Sequence, residues 1–185
     1  MNRSIFLTFF IVAVLCNRSF SQAINSPTKK SFNVSGLYLR TLYSIEAGLE
    51  FEKNKHSLLF SIRYADYNKH EHDIGIMGTY RHFLNDTTKR FRTFYQGSLY
   101  LMNIDARLIT NTYYNSRANA FVLFLGTGFN YRFIHTFSLG LNANIGWGRG
   151  WGHETNAKFL GFEQPPNYSR SFFMLNPQIN LRYQF

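Results

Sequence analysis

The sequence predicts an all-β protein, an eight-stranded antiparallel up-and-down transmembrane β-barrel. Three observations predict it. Long segments alternate apolar with polar residues, and side chains of a strand point to opposite faces with period 2. One face of these segments is large and apolar, while the other is Gly, Ser, Asn and scattered charge. The chain also closes on "NPQINLRYQF", where Ile179, Leu181, Tyr183 and Phe185 alternate with Asn180, Arg182 and Gln184 up to the last residue. Chain ends are ordinarily frayed and polar, so a terminal aromatic calls for a physical reason.

The start of the chain sets the compartment. Arg3 gives a positive start, and Ile5–Leu15 is an apolar run too short to cross a bilayer as a helix, which takes ~20 residues. Small Ser19 and Ser21 follow. Residues 1–22 therefore read as a secretory signal peptide and residues 23–185 as the barrel domain. Cys16 follows the bulky Leu15, where lipid attachment wants a small residue, and is expected to leave with the signal. The mature chain then holds no cysteine and no disulfide. The formal charge of +10 falls to +8 once Arg3 and Arg18 are removed. For an exported chain this favours anionic lipid headgroups or lipopolysaccharide over nucleic acid. Mean hydropathy is −0.24, and past the signal no apolar run reaches spanning length, which excludes a helical membrane bundle.

The strands follow in order. Residues 42–53 set Ile45, Ala47, Leu49 and Phe51 against Ser44, Glu46, Gly48 and Glu50. Residues 56–66 set Leu58, Phe60, Ile62 and Tyr64 against Ser57, Leu59, Ser61 and Arg63. In 72–84, Ile74, Ile76 and Tyr80 oppose Gly75, Thr79 and Arg81. Residues 90–103 are the least regular, because Phe94, Tyr100 and Met102 blur the polar face. Alternation sharpens from Phe121 to Phe133, against Gly126, Gly128, Asn130 and Arg132, and from Phe137 to Gly148. The last strand, 171–185, carries Pro177, which a ladder tolerates at an edge or bulge.

These segments run to about 11–15 residues, where soluble strands average about five or six and a membrane strand needs ~9–11 at a tilt. Small residues on the polar face suit a narrow, curved interior. Tyr64, Tyr80, Tyr131, Trp147 and Tyr183 lie near strand ends, as interfacial girdles do. Tips at 53–55, 85–89 and 133–136 are short, and those at 104–118 and 149–170 are long. Strand parity then requires one more strand before residue 42, and Phe32–Arg40 supplies it.

The signal peptide, the eight alternating segments and the terminal "INLRYQF" resemble the small OmpX/OmpA-type outer-membrane barrels of Gram-negative bacteria. "LYSIEAGLEFEKNKHSLLFSIRYA" and "MGTYRHFLND" further resemble outer-membrane barrel families of Bacteroidota. The resemblance implies a bacterial outer-membrane location. It also implies that Phe185, with Tyr183, Leu181 and Ile179 behind it, is the signal read by the barrel insertion machinery. It is specific for architecture and says little about activity.

By parity Glu46, Glu50, Arg63, Arg81, Arg132 and Arg182 face the lumen. A two-residue turn at Asn54-Lys55 places Glu46 opposite Arg63. Eight strands leave an interior that side chains just fill, so these charges read as a plug rather than the lining of a pore. A proton or ion path is the sharper alternative. Arg149, Trp151, Lys158 and Arg170 mix basic and aromatic character in the last long tip, which suits lipopolysaccharide or a protein partner. The stretch 105–118 keeps alternating past the membrane segment, so strands are expected to project there, and a projecting edge can pair with another strand.

Other chemistry is weakly signalled. His70 and His72 at spacing two fall short of the four ligands of a closed metal site. His153 and Glu154 with Ser169 or Ser171 hold the residue types of a lipid A-modifying acyltransferase or deacylase, without a recognisable signature. Asn33, Asn85 and Asn167 match the short N-glycan acceptor triplet. "DTT" at residues 86–88 resembles the O-glycan acceptor of Bacteroidota. No catalytic set, metal or cofactor is expected. The function expected is non-enzymatic, in envelope integrity, surface contact or adhesion through the external tips, with a lipid A-modifying enzyme as the alternative.

Overall fold

The computed structural model describes residues 28–39, 42–67, 71–86, 88–110, 112–155 and 167–185; the signal peptide expected at 1–22 lies outside them. They form eight strands: β1 Lys29–Leu39, β2 Leu42–Lys53, β3 His56–Tyr67, β4 Glu71–Phe83, β5 Phe91–Thr110, β6 Thr112–Arg132, β7 Phe137–Thr155 and β8 Asn167–Gln184. Each pairs antiparallel with the next, and β8 pairs with β1 to close the barrel. Among these residues, Asn54 is the non-glycine residue with positive φ, at 56°. An asparagine tolerates that left-handed conformation. Asn54-Lys55 is thus a two-residue hairpin loop, and it places Glu46 opposite Arg63 as the spacing predicts.

Strand one begins earlier than its sequence pattern suggests. Lys29, Lys30 and Ser31 pair with Glu52, Phe51 and Glu50, extending the ladder through residues that carry little alternation. The barrel is uneven in height. β1 to β4 span 11–13 residues and β5 to β8 span 18–21. The tip expected at 104–118 is largely strand, since β5 runs to Thr110 and β6 starts at Thr112. β7 likewise continues to Thr155 and β8 resumes at Asn167. The short turns and both ends of the described chain lie at the low end, and the tall hairpins rise from the other.

The seam between β1 and β8 is short. It runs from Ser31↔Gln184 to Gly36↔Ile179 and stops two residues before Pro177. Proline has no N–H to give a ladder. Pro177 pairs with Ala143 of β7 and sits where the β1 side of β8 is no longer engaged, so the ring costs no bond there.

The outer wall is the apolar one. Ile45, Phe60, Ile62, Ile76, Ile145 and Ile179 are exposed, and Leu125 and Phe173 reach 72% and 79% exposure. An apolar surface that encircles the molecule exceeds the few hundred Å² a soluble monomer tolerates. Aromatic clusters bound this belt: Phe91 on Phe129 and Phe133, Phe137, Tyr183 and Phe185 near the short turns, and Phe121 with Trp147 and Trp151 toward the tall hairpins. With its backbone paired around the ring, the wall can sit in hydrocarbon, which only helices and closed barrels do.

Curvature needs small residues inside. A Cβ on Gly75 would collide with the Leu101 carbonyl and lie 2.8 Å from the Tyr100 ring. Gly75→Val should destabilise the barrel by about 1–3 kcal/mol through overpacking. Leu125→Arg, which places a charge mid-belt, should cost about 2–4 kcal/mol in a bilayer. Denaturant unfolding in phospholipid vesicles measures both; a neutral Leu125→Arg would mean that this face is in water.

Candidate functional site

The lumen holds the side chains with chemistry, and it is divided by height. Nearest the short turns, five residues form a continuous ionic chain. Glu50, on β2, is 0% exposed and lies 3.4 Å from Arg81 of β4 and 3.3 Å from Arg182 of β8. Arg182 also meets Glu52 at 2.7 Å, and Glu52 meets Arg92 of β5 at 2.8 Å. Alternation explains the convergence: Glu50 and Glu52 share one face of β2, and the even residues of β5 and β8 face inward too.

Neutral groups fill the remaining valences. Asn33 and Ser57 donate to Glu50 at 2.9 and 2.5 Å, and Arg182 donates to Ser31 at 2.8 Å. Arg81 donates to Gln96, whose amide donates in turn to Asn144. The Arg92 guanidinium stacks 3.7 Å from the centroid of Phe83, and Arg81 lies over Phe94. Charges in a low-dielectric interior persist only when paired and hydrogen-bonded in this way.

Higher up, the expected ion pair is replaced. Glu46 and Arg63 are Cα partners, but Glu46 accepts from Ser61 at 2.7 Å and from Gln178 of β8 at 2.8 Å. Arg63 lies over the Tyr100 ring, whose hydroxyl donates to Asp73. In so narrow a barrel, side chains converge on the axis, so a donor from across the lumen competes with the cross-strand neighbour. Beside them Met77, Tyr100, Met102, Ala120, Val122 and Phe124 form an apolar cluster with Ile104, Phe172 and Met174. The inner face is thus not polar throughout. Phe94, Tyr100 and Met102, which blurred the pattern of β5, point inward.

The other sequence-derived positions fall as follows. Arg132 is half-buried at the short-turn rim and donates to the Lys89 carbonyl at 2.9 Å. Ile179, Leu181, Tyr183 and Phe185 are exposed on the outer wall, and the Phe185 N–H donates to the Lys30 carbonyl at 3.1 Å. Arg149 donates to Ser169 at 2.9 Å on the outer surface, where Trp151 is also exposed. Lys158 lies outside the described residues, and Arg170 is placed only by its pairing with Gly150. Asn33 is buried against Glu50, which rules it out as a glycan acceptor. His70 lies outside the described residues, and the His72 ring lies 6.2 Å from that of Tyr64 in a tilted arrangement. Among the described residues no group of three metal-ligating side chains gathers. His153 pairs in register with Asn167 near the end of the tall wall.

Glu52, Arg92, Gln178 and Asn33 belong to the network although the charge pattern did not single them out. Glu52 had a signal, since it shares the parity of Glu46 and Glu50. Arg92 was hidden in the irregular β5.

Fold and lumen together define a class: a closed, eight-stranded transmembrane barrel whose interior is filled rather than open. Among solved structures, the chain is similar to neisserial surface protein A, at 14% identity over 85% of this chain and 96% of that one, with a TM-score of 0.46. It is also similar to a de novo designed transmembrane β-barrel, at 11% identity over 87% of this chain and 98% of that one, with a TM-score of 0.43. No protein-family model matches the chain, and no curated protein matches it.

Glu50→Gln should destabilise the barrel by about 3–5 kcal/mol, because it removes the ion-pair partner of buried Arg81 and one of the two carboxylates that hold Arg182. Glu46→Gln should cost only about 1–2 kcal/mol, since its closest partners are neutral. Urea unfolding in detergent micelles compares the two; equal costs would mean that the ionic chain holds nothing together.

Proposed function

We propose that this chain is a non-enzymatic barrel of a bacterial outer membrane, contributing to envelope integrity and to surface contact through its tall β5–β8 wall. The observation that supports it most is the pairing of an apolar outer belt with a lumen that, among the described residues, is packed with side chains. Charge chain, amide bridges and apolar cluster together fill the described lumen with side chains. In this reading the short turns and both ends of the described chain face the periplasm, and the tall hairpins stand outside, as in outer-membrane barrels generally. The basic charge of the chain supports anionic lipid as its surroundings.

Ile179, Leu181, Tyr183 and Phe185 form the apolar stripe of the final strand and act as the signal for the insertion machinery. Arg149 and Trp151 stand side by side on the outer wall at the tall end. A guanidinium suits a phosphate and an indole suits a sugar face, so these two residues contact lipopolysaccharide.

Two measurements test the proposal. Expressed protein should sediment with the outer membrane and migrate faster unboiled than boiled, because a closed barrel resists the gel detergent. Its expression should leave the mass of lipid A unchanged. Soluble protein with no mobility shift would overturn the membrane reading. A lipid A mass change that disappears in His153→Ala would replace the structural role with an enzymatic one.

A further inference from the structure

The charges of the lumen balance overall but not locally. Among the described residues, four arginines and four carboxylates are buried: Arg63, Arg81, Arg92 and Arg182, and Glu46, Glu50, Glu52 and Asp73. Glu46 and Asp73 are held high in the barrel with Arg63. The chain at the short-turn end, Arg81–Glu50–Arg182–Glu52–Arg92, therefore holds three guanidiniums against two carboxylates. Its last member is unfinished. Arg92 is only 7% exposed, and only Nη1 meets Glu52, while Nε and Nη2 meet no acceptor among the described residues. Nε and Nη2 form one edge of the guanidinium, the fork that grips an oxyanion through two parallel bonds.

That end of the chain lines a recess of about 20 Å³ at the short-turn mouth. Lys29, Arg90, Arg92, Arg132 and Arg182 line it together with the single carboxylate Glu52. Five cations around one anion, the incompletely bonded Arg92 among them, make a site that attracts negative charge. The Arg92 guanidinium lies over Phe83, 3.7 Å from the ring centroid, which holds its plane, and its Nε and Nη2 are buried behind the recess without an acceptor among the described residues.

We propose that this mouth binds a phosphate group, with the Nε–Nη2 edge of Arg92 as the principal contact and Lys29 and Arg90 as flanking charges. Phosphate completes the hydrogen bonding of Arg92 and offsets the extra positive charge of the chain. It reaches the mouth either as free phosphate or as a lipid headgroup from the leaflet that surrounds the short turns.

The test titrates inorganic phosphate into the folded barrel in a maltoside micelle, following by NMR the backbone amide signals of Lys29, Arg90 and Arg132, which line the mouth in the parent and in both variants. A saturable shift is expected. Arg92→Gln should weaken binding by roughly tenfold or more, as loss of a charge-assisted bidentate contact does. Glu52→Gln should tighten it, since it removes the competing carboxylate. Repeating the titration in phosphatidylglycerol nanodiscs separates the sources: a signal already at its bound position means a lipid headgroup, and an unchanged titration means free phosphate. No saturable shift in the parent barrel, or the same affinity in parent, Arg92→Gln and Glu52→Gln, would overturn the site.

Discussion

The structure depends on the seam where β8 meets β1. A barrel edge left open in hydrocarbon would strand backbone N–H and C=O groups at several kcal/mol each, so closure is a condition of existence in a membrane. Here the seam is only six residue pairs long. It is reinforced from inside. Arg182 of β8 donates to Ser31 of β1 and reaches past β1 to both Glu50 and Glu52 of β2, and Gln178 reaches Glu46 in the same manner. The lumen chemistry is thus a staple across the weakest joint. Its concentration at the short-turn end coincides with the stretch over which β1 and β8 pair.

The uneven height of the wall follows from the same arrangement. Where β1 ends, β5 to β8 continue as a four-stranded wall, and the filling changes character. Below, charges and amides saturate one another; above, Val122, Phe124, Phe172 and Met174 pack as a small apolar core. The wall is then apolar on both faces over part of its height, one toward the belt and one toward the lumen. Such a division lets one end of the barrel be fixed by directional bonds while the other is held by packing, which tolerates variation more readily.

Much of this was legible in the sequence. β7 alternates without a break from Phe137 to Gly148, because its inner face is only Gly, Ser and Asn, and the turn at Asn54-Lys55 set the register of β2 and β3 outright. Three things were not legible. β1 carries weak alternation, since its first residues, Lys29, Lys30 and Ser31, are polar whichever face they take, and only strand parity pointed to it. On β5, inward Phe94, Tyr100 and Met102 erase the period-2 signal, and Arg92 was lost with it. The partner of Glu46 was invisible because register fixes which residues are neighbours, whereas a narrow lumen lets Gln178, 132 residues away, supply the bond.

The central claim is that the large residues face lipid and the small polar ones face a closed interior. Spin labels placed singly at consecutive positions 139–145 of β7, in lipid vesicles, test it most directly. Collision with oxygen should be high at 139, 141, 143 and 145 and low at 140, 142 and 144, with a water-soluble nickel complex excluded from both sets. Nickel access at the odd positions would contradict the account, because it would put the apolar face in water.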